Sequence, residues 1–362
     1  MFIPRWKAIA DLIAAEIADG KLATGDALPS ETEMARQWNV SRMTAHRAMH
    51  ELHQQGLVIR KRHVGTTVAP RREFRIGRVA VFLNTHDFLE QAYLCGIRSR
   101  LPDEADLLFC DVRCSPQREA YYLDRMRKTA DGILMIATCD PCNTPIVAEM
   151  LRSGVNIVCL DSVPAGLEVT SVVSDNYGVC REALQYLVNR GHRRIAHFTE
   201  ERLFESALRE RYDAYLDTLA DSGVTGADPW IRQFAFENVW DPAGFSPVIT
   251  AEVAALMRQP DHPTALFCTH DYILSGVIQA SQTLGVRIPE DLEIVSFNDC
   301  PPIVPYLPSG VHRIVQQAQE MGKAAAEQLC RLSGQERPTP EVIRISPVFF
   351  PAEVRMGRFR RL

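Results

Sequence analysis

Apolar residues near the start of the chain recur every three or four positions, which is the spacing of amphipathic helices. The first helix is predicted to begin after Pro4 and to end by Gly20. Its inward positions are Ile9, Leu12, Ile13 and Ile17. The second helix is predicted from Ser30 to about Trp38, because Ser30 and Glu33 have the spacing of a capping box.

A third helix and a hairpin follow after a corner of a few residues. Ser41 is placed to cap the third helix and Gly56 to end it. Its inward positions are Ala45, Ala48, Met49 and Leu52. Residues 57–60 and 66–69 are predicted to form two short strands joined by a basic turn. Together these elements predict a winged helix-turn-helix of α+β class over residues 1–70.

From Ile76 onward, short apolar runs alternate with helical stretches. The runs have the length of strands and comprise residues 78–83, 107–112, 132–137, 156–160, 171–173, 194–198, 264–268 and 292–297. Strands that are apolar throughout indicate parallel sheets covered by helices on both faces. We therefore predict that residues 71–75 link the first module to an α/β body. This body is long for one sheet, so we predict two lobes of doubly wound parallel sheet.

Composition narrows the class of protein. The chain has 362 residues, 46% of them hydrophobic and 23% charged, which excludes a disordered chain and a small disulfide scaffold. It has no signal-peptide pattern and no apolar run of the roughly 18 residues that span a bilayer, so we expect a soluble, cytoplasmic protein without a membrane partner. Ten scattered cysteines then indicate reduced thiols.

The net charge of −5 is unevenly distributed. The first 75 residues carry 12 basic and 8 acidic side chains, whereas the other 287 carry 28 and 37. A basic module attached to an acidic body is the charge pattern expected of a nucleic-acid contact. The alternative is a helical protein-docking module whose basic face is simply solvated.

Residues 28–68, LPSETEMARQWNVSRMTAHRAMHELHQQGLVIRKRHVGTTV, resemble the GntR family of transcriptional regulators. The resemblance implies that the third helix enters the major groove of DNA, where an arginine reads guanine and hydroxyls bind phosphates. The implied contacts are Ser41, Arg42, Thr44 and Arg47 on the helix, and His63 and Gly65 at the wing tip. Thr32 departs from the family, which often has an arginine there.

Short polar residues, many of them carboxylates, follow six of the predicted strands in the body. They are Asn84 to Asp87, Cys139-Asp140, Asp161-Ser162, Asp175-Asn176, His270-Asp271 and Asn298-Asp299. Because ligands of parallel sheets bind at the carboxyl ends of the strands, these residues predict a polar cleft suited to the hydroxyls of a polyol. Singly, each is more often a turn residue or a helix cap.

Five segments of the body resemble the effector domain of the LacI/GalR family, which has a type I periplasmic-binding-protein-like fold. They are SDNYG (174–178), LVNRGHRRIAHF (187–198), PTALFCTHD (263–271), LGVRIPEDLEIVSFND (284–299) and IVQQAQEMGKAAAEQL (314–329). The resemblance implies an effector-binding and dimerisation domain over 76–355. Lobe 1 would comprise about 76–188 and 318–345, and lobe 2 about 189–313 and 346–355. A GntR-type head on this body resembles the arabinose-responsive repressor type.

The same resemblance implies the effector contacts. Asp175, Arg211 and Gln316 match residues that contact the effector, and an arginine fork bonds to neighbouring oxygens. His270-Asp271 replaces the usual Asn-Asp pair of the family, and Asn298 replaces an Asp, so effector identity does not transfer. The remaining candidates are Ser162 at a strand end and Phe88, Phe236 and Trp240, aromatic residues that either face a sugar or pack in the core.

No sequence motif supports catalysis or a metal site. The GxSxG, P-loop and HExxH patterns are missing from the sequence. Two cysteine pairs, Cys110 with Cys114 and Cys139 with Cys142, are irregularly spaced for zinc. We therefore expect neither metal nor cofactor.

We predict a homodimeric transcriptional regulator, a repressor rather than an enzyme, whose affinity for operator DNA is controlled by a small carbohydrate-type effector. One alternative is a GntR-type head fused to an enzyme body, such as an aminotransferase-like body that uses pyridoxal phosphate. The other is a sugar-binding module without regulation.

Overall fold

The chain divides into two compact units, residues 1–75 and 76–362. The structure is a computed structural model that describes residues 4–54, 57–61, 65–68, 76–84, 88–224, 230–235, 242–298, 307–334 and 338–352. Within these ranges, no helix combines the length and the hydropathy that a bilayer span requires.

The first unit consists of three helices and a small antiparallel sheet. The helices are α1 (Arg5–Ala18), α2 (Glu31–Gln37) and α3 (Arg42–Gln54), and the strands are β1 (Ala27–Leu28), β2 (Val58–Lys61) and β3 (Gly65–Val68). Strand β3 lies between β1 and β2. The two predicted strands are present within one residue of their expected bounds. Strand β1 was not predicted, because a strand of two residues is too short to show an alternating pattern of apolar and polar positions.

The core of the first unit forms where α1 and α2 pack on α3. All four predicted inward positions of α3 are buried, and Ile9 and Ile13 of α1 are buried with them. The prediction for Leu12 was wrong, since this residue is 50% exposed. Helix α1 contacts its neighbours along the stripe of Ile9 and Ile13, and Leu12 lies about 100° around the helix from Ile13.

The second unit contains two six-stranded sheets, each with helices on both faces. The helices are α4 (Phe88–Arg98), α5 (Pro116–Met126), α6 (Thr144–Arg152), α7 (Asn176–Asn189), α8 (Ser206–Asp221), α9 (Pro242–Met257), α10 (Asp271–Leu284) and α11 (Ala318–Leu332). The strands are β4 (Arg78–Leu83), β5 (Asp106–Asp111), β6 (Gly132–Met135), β7 (Ile157–Leu160), β8 (Ser171–Ser174), β9 (Ile195–Glu200), β10 (Ile231–Phe234), β11 (Ala265–Cys268), β12 (Glu293–Phe297), β13 (Val311–Val315), β14 (Val342–Ile345) and β15 (Val348–Phe350).

The two sheets define two lobes. The sheet of lobe 1 has the order β14-β8-β7-β6-β4-β5 and is parallel throughout. The sheet of lobe 2 has the order β10-β9-β11-β12-β13-β15, with only β15 antiparallel to its neighbour. Helices α4 and α11 cover one face of lobe 1 and α5 and α6 the other, whereas α7 and α8 cover one face of lobe 2 and α9 and α10 the other. The predicted α/β fold of two doubly wound lobes is therefore confirmed.

Helix α7 differs from the sequence-based division of the lobes. Residues up to about 188 were expected in lobe 1, but the apolar face of α7 packs with α8 on the sheet of lobe 2. The chain therefore crosses between the lobes at Asp175. Strands β10, β13, β14 and β15 were not predicted, because they are short or interrupted by Arg, Gln or His.

Candidate effector cleft and nucleic-acid interface

Helix α3 begins at a side-chain cap and presents an exposed polar face. The Thr44 backbone N–H donates to Ser41 Oγ at 3.1 Å, so the predicted cap is confirmed, and the Ser41 and Thr44 hydroxyls lie 2.8 Å apart. The Arg42 side chain is 76% exposed. Arg47 is also exposed, and its guanidinium carbon lies 5.2 Å from the centre of the Trp6 ring. These four predicted DNA contacts thus lie on the first two turns of one helix.

Three further residues share the exposed face of α3. Met43 is 74% exposed, and His46 and His50 are exposed on the next turns. The sequence could have identified them, because they lie three or four positions from Arg42 or Arg47 and residues at that spacing share a face of a helix. On the hairpin, Gly65 has φ of +108°, a backbone conformation that favours glycine. The other predicted wing contact, His63, lies outside the described residues.

A polar cleft in the second unit is lined by strand ends and loops of both lobes. It encloses about 720 Å³ of space free of protein atoms, part of it open to solvent. Of the residues that follow predicted strands, those that line it are Asn84, Asp161, His270 and Asn298. The carboxyl ends of the parallel strands therefore converge as the sequence predicted.

Arg211 lies in the wall of the cleft on helix α8. It is only 2% exposed, and its guanidinium carbon lies 3.6 Å from the centre of the Phe297 ring. Its Nε donates to Asn176 Oδ1 at 3.0 Å, and its Nη1 donates to the Thr269 carbonyl oxygen at 2.9 Å. These contacts fix the plane of the guanidinium group while one edge of the side chain lines the cleft.

His270 and Asn298 stand beside Arg211. The His270 ring stacks on Tyr272 with centres 4.8 Å apart, and burial together with Arg211 and Arg202 lowers its pKa well below the usual value. Its Nε2 lies 3.3 Å from Glu200 Oε1 without the geometry of a hydrogen bond. Asn298 has φ of +66° and is 5% exposed. Its Oδ1 is buried without a partner within the described residues.

A charged cluster that the sequence did not identify forms the adjacent wall. Arg202 donates through Nε and Nη2 to Glu200 Oε2 at 3.0 and 2.6 Å, and its Nη2 lies 3.6 Å from Glu205 Oε2. The Tyr272 hydroxyl also donates to Glu200. Burial raises the pKa of Glu200 to about 7 although Arg202 lowers it. The cluster was missed because β9 runs two residues beyond its predicted end at 198, so its last residue is Glu200.

Lobe 1 contributes acceptors and a bridge to lobe 2. Gln316 is buried, accepts from the Tyr93 hydroxyl at 3.0 Å and donates through Nε2 to Asp161 Oδ1 at 3.2 Å. Asp161 and Tyr93 line the cleft. Ser162 is fully buried, and its hydroxyl donates to Glu205 Oε1 at 3.1 Å. Gln316 and Ser162 therefore hold in place, by hydrogen bonds, residues that line the cleft.

The other predicted effector contacts lie elsewhere or outside the described residues. Asp175 is not among the residues that line the cleft and instead accepts from the Gly178 backbone N–H at 3.0 Å as the N-cap of α7. Asp271 begins α10, directly after His270. Trp240 and the side chain of Phe88 lie outside the described residues, as does Phe236.

The cysteines of the body that the structure describes are free thiols, and burial makes several of them weaker acids. All nine within the described ranges are free, and burial raises the pKa of Cys110 to about 11 and that of Cys114 to about 12. Within those ranges, no group of three or more His, Cys, Asp or Glu side chains is arranged to hold a metal ion.

Comparisons with known proteins bear on both units. Residues 6–68 match the bacterial regulatory proteins of the gntR family, and residues 184–350 match the periplasmic binding protein-like domain. The HTH-type transcriptional repressor PurR of Aliivibrio salmonicida (strain LFI1238) is 24% identical over 223 residues, which cover 61% of this chain and 63% of PurR. The ribose operon repressor of Haemophilus influenzae is 28% identical over 204 residues, 56% of this chain and 58% of that repressor.

This chain thus spans about three fifths of the length of these curated relatives. The crystal structure of a LacI family transcriptional regulator from Mycobacterium smegmatis has a TM-score of 0.63 at 23% identity, covering 76% of this chain and 97% of that one. The chain therefore combines a segment that matches the gntR family with a periplasmic-binding-protein-like domain that is homologous to the repressor PurR and the ribose operon repressor. These relatives are regulators, not enzymes.

Proposed function

We propose that this chain is a cytoplasmic transcriptional repressor whose affinity for operator DNA is controlled by a small polyhydroxylated effector bound in the cleft between the lobes. The observation that carries the proposal is the pairing, in one chain, of a capped helix with an exposed basic face and a two-lobed body with a polar cleft. The names of the relatives, the transcriptional repressor PurR and the ribose operon repressor, support repression of transcription.

In this proposal α3 reads DNA. The N-terminal half of the helix enters the major groove, Arg42 and Arg47 bond to base edges or phosphates, and the Ser41 and Thr44 hydroxyls contact the backbone. Gly65 and His63 place the wing against the adjacent backbone or minor groove. Two copies of the chain present two reading helices to a roughly palindromic site, so the active form is a homodimer.

The effector acts through linkage. A ligand that prefers one arrangement of the lobes shifts the population toward it, and the operator affinity changes by the same factor that DNA imposes on ligand affinity. The cleft residues that supply bonds to the effector are Arg211, His270 and Asn298, with Ser162 and Gln316 as supports. The arabinose-responsive type is one specific form of this proposal, and L-arabinose belongs in any ligand panel.

The test begins with DNA. Fluorescence anisotropy of the purified chain against fragments of its source genome should identify a preferred fragment, with an affinity that falls steeply as salt increases. Light scattering of the same sample should give the mass of a dimer. A chain with no preference for any fragment, with or without sugars, would contradict the proposal.

Arg42→Ala tests the placement of α3 on that fragment. We expect operator binding to weaken by about 1 to 3 kcal/mol and base preference to relax, because the side chain reads base edges. Lys7→Ala removes an exposed charge from α1 and is the matched control. Equal operator affinities for the two variants would show that α3 is not the reading helix.

A further inference from the structure

A glutamate of α2 contacts the exposed face of α3. Oε1 of Glu31 lies 2.8 Å from Nδ1 of His46, and its other oxygen, Oε2, lies 3.9 Å from Nε of Arg42. His46 follows Arg42 by four positions, so the two side chains stand one turn apart on the same face of the helix. One carboxylate therefore joins two side chains of the face that contacts DNA in the proposed function.

The carboxylate determines which nitrogen of His46 is available to a ligand. An ionised carboxylate only accepts hydrogen bonds, so Nδ1 carries a hydrogen and donates it to Glu31. The opposite nitrogen, Nε2, makes no hydrogen bond within the described part of the chain, and the side chain is 48% exposed. The contact with Glu31 thus holds the ring by one edge and leaves the other edge without a partner.

Nε2 has opposite chemistry in the two charge states of the ring. In a neutral ring with its hydrogen on Nδ1, Nε2 is an acceptor, which in the major groove suits the amino groups of adenine and cytosine. In a protonated ring, Nε2–H is a donor, which suits O6 and N7 of guanine. The charge state of His46 therefore decides which base edge it can bind.

The charges around His46 favour the protonated ring once DNA is bound. Glu31 of α2 stabilises an imidazolium at hydrogen-bond distance, whereas Arg42 and Arg47 on α3 oppose it. The His50 ring, whose centre is 6.4 Å away, adds a charge only when it is itself protonated. Helix α1 forms no ion pair or hydrogen bond with the ring within the described residues. DNA phosphates then add negative charge beside the helix and tip the balance.

We propose that His46 reads a guanine of the operator in its protonated form, with Glu31 as the positioning residue that holds the ring and stabilises its charge. This assignment rests on the proposed function, since it requires α3 to enter the major groove. It adds a residue that determines specificity. The ring takes up a proton from solvent as the complex forms, so operator binding tightens as pH falls.

The pH dependence of operator affinity is the first test. Fluorescence anisotropy of the full chain at constant salt should show an affinity that falls about 5-fold or more from pH 6 to pH 8, within the limit of about 10-fold per pH unit for one proton. His46→Gln should remove most of this fall. His53→Gln changes another exposed histidine, in the last turn of α3, and is the matched control that should retain it. A His46→Gln variant with the pH dependence of the wild type would overturn the assignment.

A guanine analogue identifies the base that His46 reads. 7-Deazaguanine lacks the N7 acceptor, so placing it at each guanine of the preferred fragment in turn removes one bond at a time. We expect one guanine at which the analogue weakens binding of the wild type about 5-fold or more at pH 6 and binding of His46→Gln less than about twofold. Equal effects on the two proteins at every guanine would overturn the assignment, as would a difference found only when a phosphate is replaced by methylphosphonate.

Glu31→Gln separates the positioning role from a merely structural one, and it keeps the assignment testable if His46→Gln does not fold. The glutamine oxygen still accepts from Nδ1–H but carries no charge, so the ring stays held while the imidazolium loses stabilisation. The ratio of the operator affinity at pH 6 to that at pH 8 should fall about twofold or more. A structural contact would change both affinities by the same factor, and an unchanged ratio would overturn the role of Glu31.

These outcomes are distinguishable from failure of the proposed function. A chain that binds a preferred fragment without the expected pH dependence loses only the assignment of His46 and Glu31. A chain without any preferred fragment would overturn both.

Discussion

Two buried glutamates of lobe 2 have opposite pKa shifts, and their neighbours explain why. Burial raises the pKa of Glu200 to about 7, because Arg202 compensates only part of the lost hydration and Glu205 adds repulsion. Burial also opposes ionisation of Glu293. Hydrogen bonds from His192, His312 and Arg190 outweigh this effect of burial and hold the pKa of Glu293 well below the usual range. Glu293 is therefore a structural anion, whereas Glu200 titrates near neutral pH.

The Glu200 shift predicts a pH dependence of stability. Since the pKa is higher in the folded state than the 4.5 of an ordinary glutamate, Glu200 stabilises the fold most at low pH, and this contribution is lost as pH rises through about 7. The difference in unfolding free energy between the wild type and Glu200→Gln should fall by on the order of 2 to 3 kcal/mol from pH 5 to pH 8.

Urea denaturation at a series of pH values measures this difference. Glu327→Gln, which changes an exposed glutamate with 54% of its side chain accessible, is measured alongside as the control. If the unfolding free energy of the wild type instead increased with pH relative to that of Glu200→Gln, the raised pKa assigned to Glu200 would be wrong.

At the scale of elements, lobe 1 depends on a close crossing of two helices. A Cβ added at Gly96 of α4 would lie 2.1 Å from the Gln319 carbonyl oxygen, and one added at Gly322 of α11 would lie 2.2 Å from that of Tyr93. These neighbours are backbone atoms, which cannot move without separating the helices. The two glycines thus allow α4 and α11 to pack backbone against backbone over the sheet.

Gly322→Ala should therefore destabilise lobe 1. We expect a loss of about 1 to 3 kcal/mol, because overpacking forces the helices apart. The matched control is Gly276→Ala in α10, where the new Cβ would meet the Cδ1 atom of Ile249, the end of a flexible side chain, at 2.7 Å. Chemical denaturation of both variants measures the difference. Equal losses would show that the helix crossing tolerates a methyl group.

At the scale of the whole second unit, polar contacts join the lobes beside the cleft. The Val163 backbone N–H in lobe 1 donates to Ser206 Oγ in lobe 2 at 3.0 Å, next to the bond between Ser162 and Glu205. On strand β14, Arg344 pairs with Glu210 of α8 at 3.0 Å. Because Glu205 also lines the cleft, the ligand site and the contact between the lobes share a residue.

Ser206→Ala should weaken the coupling between effector and DNA. Loss of the bond from Val163 favours separation of the lobes. The effector concentration at the midpoint of the change in operator binding should therefore rise about 3- to 10-fold, which corresponds to roughly 1 kcal/mol. Operator affinity without effector should stay unchanged. Ser222→Ala, at the other end of α8, is the control. An unchanged effector response in Ser206→Ala would show that this bond does not govern the movement of the lobes.

The amino-acid sequence by itself determined the features that depend on local order. Capping at Ser30 and Ser41, the inward face of α3 and the long apolar strands follow from neighbours a few residues apart. The positions of His270 and Asn298 at the cleft follow as well, because parallel strands align their carboxyl ends.

Tertiary structure alone decided which distant side chains share an environment. The bond between Ser162 and Glu205 joins residues 43 positions apart, and the bond between Gln316 and Asp161 joins residues 155 positions apart. Tertiary structure also decided the assignment of α7 to lobe 2 and the exposure of Leu12. Burial, pairing and pKa are properties of the packed assembly, and a periodic pattern records only which face of an element is apolar.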